Sequence, residues 1–160
     1  PTGYYKSNLF LDFLTTSKQS MFLELHPALV HFPIAFIVLS FVFQLITILI
    51  PKKIPDNLTL WALIPAAVST IPTVISGQSM KNKINNICVE AQKSLEIHEV
   101  FANITTWSSL FICIIWIFIT LNKNNNQSAQ KLLFAFLTLL FVSVMITGYY
   151  GGLLVHVWEI

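Results

Sequence analysis

Four apolar stretches, at about 27–50, 58–77, 96–121 and 131–156, leave this chain few ways to fold. Each meets or exceeds the ~20 residues that a helix needs to cross a ~30 Å hydrocarbon layer. Within such a layer each backbone N–H and C=O must be satisfied inside the segment, so the expected fold class is all-α, a four-transmembrane-helix bundle. A mean hydropathy of +0.72, with 55% hydrophobic and only 10% charged residues, excludes an ordinary soluble domain. The net charge of +2 is too small to point to nucleic acid.

Ahead of the first span, residues 7–25 carry Leu9, Phe10, Phe13, Leu14, Met21, Phe22 and Leu25 at roughly helical spacing, with Asp12, Lys18, Gln19 and Glu24 among them. This pattern predicts an interfacial amphipathic helix, giving a segment 1–25 followed by a transmembrane domain 26–160. No basic region followed by an apolar run opens the chain, so no secretory signal is expected. All nine basic residues are lysine. An anionic group bound here must therefore be met by Lys, Tyr, Trp or backbone donors instead of a guanidinium fork. Cys88 falls in a connecting loop and Cys113 mid-span, so no bridge between them is expected.

The chemistry concentrates in the run His26-Pro27-Ala28-Leu29-Val30-His31-Phe32-Pro33-Ile34-Ala35. Pro27 suits a first helical position, which makes His26 the expected cap and puts His31 inside the helix. Five residues separate the two rings by about 140° around a helix axis, so they cannot reach one atom from one face. Pro33 cannot donate to the carbonyl of Leu29, which predicts a kink whose freed carbonyl is met by a neighbouring helix. In span two, Ser69, Thr73 and Ser76 share a face leading to Gly77, a pattern expected for helix packing or, less commonly, a polar cavity wall.

Alternating chain direction brings His26, His31, His98 and His156 to one end of a four-span bundle. Ionisable residues within spans are read as functional. One turn deeper than three of them lie small residues: Ala35 below His31, Ala102 below His98 and Gly152 below His156. A flat cofactor needs such room beside its axial ligands, and a bare ion does not. The expected ligand is therefore haem b, one or two per chain, with His31 and His98 as first axial pair and His26 and His156 as second. Gly148 and Gly152, a GxxxG pair, would make room for the macrocycle, and Lys81, Lys83 or Tyr149 would receive its carboxylates. A zinc or copper site from His26, His98, Glu99 and His156 is the competing reading. A cofactor-free assembly subunit is the third. No nucleophile–base arrangement, phosphate loop or buried carboxylate pair supports independent catalysis.

The short loops opposite the histidines hold Lys52, Lys53, Lys123 and Lys131 against Asp56 alone. The positive-inside rule then puts the histidine end outside the cytoplasm or matrix of a bacterial or organellar inner membrane.

The run His-Pro-x-x-Val-His-Phe-Pro-Ile-Ala at 26–35, Gly77, the opening His98-x-x-x-Ala102 and the ending Gly151-Gly152-x-Leu154-Val155 resemble the bacterial membrane family labelled domain of unknown function 2231. The resemblance covers about 25–157. It implies a four-helix membrane unit found beside or fused to c-type cytochrome domains, which makes a c-type cytochrome and other subunits of a respiratory membrane complex the expected partners, with lipid around them.

Overall fold

The computed structural model describes residues 3–51, 53, 55, 57–82, 84, 87–122 and 126–158, with side chains described from Leu25 onward. Four helices follow one another: α1 (Gly3–Leu49), α2 (Leu58–Lys81), α3 (Val89–Leu121) and α4 (Gln127–His156). All four are long and apolar enough to cross a membrane, and within α1 the stretch Leu25–Leu49 meets this by itself. Each helix packs on its two neighbours in a closed ring, α1 on α2 and α4, α3 on α2 and α4, so α1 and α3 are diagonal.

The mid-bundle core is built from Ile37, Leu63, Ala66, Ala67, Ile112, Trp116, Leu133, Leu137, Leu140 and Val144. Trp107 is 71% exposed and faces outward with Phe111, Ile114, Phe118, Leu132 and Leu139, an apolar exterior that suits lipid. Buried hydroxyls do not oppose this packing, because they bond to carbonyls of the preceding turn, as Ser40 does to Phe36 and Thr70 to Ala67. Others bridge helices: Thr105 to Ser143 at 2.8 Å, and the Gln44 amide to the Gln130 carbonyl at 3.0 Å.

Several boundaries differ from expectation. Pro27 does not begin a helix and His26 is not a cap, since α1 runs without interruption from Gly3 with both prolines inside it. Proline's fixed φ is already helical, and the ring removes one donor without forbidding the turn. Segment 7–25 thus continues the first span as one helix; the positions of its side chains at an interface lie outside the described residues, Leu25 apart. The loop expected at 78–95 shrinks, because α2 continues past Gly77 to Lys81 and α3 starts at Val89. Ala91 and Ser94 are buried on that early turn of α3. Asn126 opens α4 by accepting a hydrogen bond from the Ala129 N–H at 2.9 Å.

The two hairpins, α1–α2 and α3–α4, bury the same positions. Pro33, Ile37, Ser40 and Gln44 in α1 correspond at one constant offset to Thr105, Ser109, Ile112 and Trp116 in α3, and all eight are buried. Thr59, Leu63, Ala66 and Thr70 in α2 correspond likewise to Leu133, Leu137, Leu140 and Val144 in α4. Helices that run in the same direction through the ring are therefore related by a pseudo-two-fold axis along the bundle.

Candidate functional site

At the histidine end the correspondence extends to side-chain chemistry. His26 matches His98, Ser69 matches Ser143, Thr73 matches Thr147 and Gly77 matches Gly151. The His26 ring lies on Gly77 of α2, where a Cβ would come within 3.1 Å of Cε1. The His98 ring lies on Gly151 of α4, again with 3.1 Å from such a Cβ to Cε1. Any side chain at either place would crowd the ring, which would have to give by a few tenths of an ångström even for a methyl group.

Each ring is oriented by its Nδ1. His98 Nδ1 lies 2.9 Å from the Thr147 carbonyl, which can only accept, so Nδ1 carries the proton. His26 Nδ1 lies 2.7 Å from Ser76 Oγ. Ser76 gives its own proton to the Thr73 carbonyl at 2.8 Å, so Oγ accepts from His26. The two anchors therefore differ in kind, a hydroxyl oxygen for His26 and a backbone carbonyl for His98. Among the described residues neither Nε2 has a hydrogen-bond partner, and with the proton on Nδ1 each offers a lone pair, as a histidine does when it ligates a metal while its other nitrogen is anchored.

The other two histidines stand apart. His31 is exposed, with Nδ1 donating to the Pro27 carbonyl one turn back, and it points away from His26 as the 140° separation requires. His156 is exposed at the last turn of α4. Ala35 is also exposed and Ala102 half-buried, so the small residue below His31 opens outward. Gly148 and Gly152 both have open space where a Cβ would sit.

Glu99 follows His98 but belongs to another cluster. Its two oxygens accept from Gln78 at 2.9 Å and from Lys81, tying α3 to α2 across their seam. Among the described residues no group of three or more His, Cys, Asp or Glu is gathered as a metal site, so His26, His98, Glu99 and His156 do not converge as the zinc or copper reading required. Lys81 also borders a cleft of about 470 Å³ between the end of α2 and the start of α3, lined by Ile84, Ile87, Gln92, Leu95 and Glu96. Lys83 lies outside the described residues; Tyr149 is exposed, edge-on to Tyr150. Both cysteines are free, Cys88 exposed and Cys113 buried. The Trp158 indole N–H is buried without a partner among the described residues.

The freed Leu29 carbonyl opposite Pro33 is met by the Thr73 hydroxyl of α2 at 3.3 Å. The corresponding Phe101 carbonyl accepts from Ser143 at 3.4 Å. The hydroxyl face of span two is therefore a packing surface that also seats His26. Gly77, Gly151, Ser76 and Thr147 are the site residues that spacing alone missed. Spacing reads Ser76 and Gly77 only as a packing face, and Gly77 and Gly151 only as motif positions; the internal repeat, which pairs Gly77 with Gly151 and Thr73 with Thr147, is a signal that could have found all but Ser76, whose counterpart is Tyr150.

These features define a four-span, all-helical integral membrane protein with two half-buried imidazoles in repeat-related positions at one end. The family of predicted membrane proteins DUF2231 matches residues 23–160, and the chain belongs to it. No curated protein and no solved structure matches the chain.

Proposed function

We propose that the protein is a membrane-embedded subunit that binds b-type haem and serves electron transfer or anchoring in a respiratory complex. The supporting observation is the pair of imidazoles on diagonal helices, each with Nδ1 anchored and Nε2 free. In this reading His26 and His98 are the residues that would hold the iron, and His31 gives up the first-pair role because it is exposed. An iron held by two neutral imidazoles would supply one-electron transfer. Gly77 and Gly151 leave room for the rings at their seats, and the anchoring oxygens, Ser76 Oγ for His26 and the Thr147 carbonyl for His98, raise the basicity of Nε2.

The lysine balance of the opposite loops supports an orientation with this site outside the cytoplasm or matrix, where a c-type cytochrome can reach it. The histidine end then faces a periplasm or an intermembrane space.

Purified protein, produced with ample haem and held in detergent, is expected to show a Soret band and a reducible α-band at about one haem per chain. His26→Ala and His98→Ala should each remove most of that absorbance, while His31→Ala and His156→Ala retain it. A colourless wild-type protein, or full absorbance in both His26→Ala and His98→Ala, overturns the reading and leaves the two rings as ties within each hairpin.

A further inference from the structure

The site is two-fold symmetric, but its surroundings are not. His26 sits where α1 meets α2, and His98 where α3 meets α4, so a flat ligand held between them has its edges toward the other two seams. Across the α2/α3 seam stand Gln78, Lys81 and Glu99, joined by hydrogen bonds and an ion pair. Their counterparts across the α4/α1 seam are Gly152, Val155 and Pro27. Those three have no polar side-chain atom, and open space lies beside Gly152. Among the described residues no hydrogen bond joins α1 to α4 at this end.

A ligand with two similar faces and one charged edge is oriented by that difference alone. A carboxylate gains from an ammonium, and its desolvation is unfavourable against glycine, valine and proline. Trp158 brings a donor at the α4 end, but a neutral donor holds a carboxylate about half as strongly as a charged one. Lys81 also borders the cleft that opens at the histidine end, where a carboxylate keeps contact with water.

We propose that Lys81, seconded by Gln78, is the specificity-determining residue that fixes which way round the macrocycle sits, carboxylates toward α2/α3 and the uncharged edge between α1 and α4. This rests on the haem reading above. Glu99 competes with the ligand for the ammonium, so the ion pair is the resting state of the anchor.

The test is titration of haem-free protein in detergent with haem and with its dimethyl ester, read by the Soret band. Wild type should bind haem about fivefold more tightly than the ester, the scale of one partly exposed ion pair. Lys81→Met should bring the ratio near one, and Glu99→Gln, which releases Lys81, should raise it. Val155→Lys in the Lys81→Met background moves the cation to the symmetry-related position and should restore the preference. Equal affinities in wild type, a ratio unmoved by Lys81→Met, or no restoration in the double variant overturns the assignment of Lys81. Absence of a Soret band with either compound in wild type overturns the haem reading itself, and this inference with it.

Discussion

His26 and His98 differ from the other two histidines in what lies beneath them. A ring resting on a glycine with its Nδ1 anchored has one orientation, whereas His31 and His156 are exposed. Gly77→Leu and Gly151→Leu should each expel a ring and lower haem occupancy severalfold while helical circular dichroism persists. Symmetry requires the two effects to be similar. Gly148→Leu, placed where a Cβ meets nothing within 4 Å, should leave the ring seats undisturbed. That four histidines gather at one end was legible from chain direction. Which of them are half-buried was not, because Pro27 reads as a helix start and so displaces His26 from the helix. The decision lies in residues on a different helix, Ser76 and Gly77, to which the local pattern around His26 makes no reference.

Prolines inside helices make the hairpins interdependent. Pro33 frees the Leu29 carbonyl of α1, and Thr73 of α2 supplies the missing donor. Thr73→Val should lower stability by ~1 kcal/mol by leaving that carbonyl unpaired. In a Pro33→Ala background, where the replacement restores the backbone N–H, the same change should cost less, giving a coupling of about 0.5–1 kcal/mol in a double-mutant cycle. Additive effects would show that Thr73 acts only within its own helix, through its bond to Ser69. Element identity was readable here because four long apolar runs admit only helices in lipid. Element ends were less so: the turns around Lys81 and Val89 lie beyond the apolar stretch, where polar residues read as loop although Ala91 and Ser94 are buried.

The whole molecule is one hairpin pattern used twice, with a symmetric core and unequal seams. This arrangement was weakly legible, since identity between the halves is confined to a few positions such as His26 and His98 or Gly77 and Gly151. The burial register shows it because it depends on geometry and not on residue type. Orientation in the membrane can be read from the native thiols. Cys88 is exposed on the connection at the histidine end, and Cys113 is buried. A membrane-impermeant maleimide should label Cys88 in intact spheroplasts, whereas labelling only after lysis would place that end inside. One further property follows from α1, which has 47 helical residues where about 20 suffice to cross a hydrocarbon layer. At 1.5 Å per residue such a helix is about 70 Å long. The residues before Leu25 adjoin His26 through continuous helical backbone, so whatever turns the N-terminal part of α1 turns that imidazole with it.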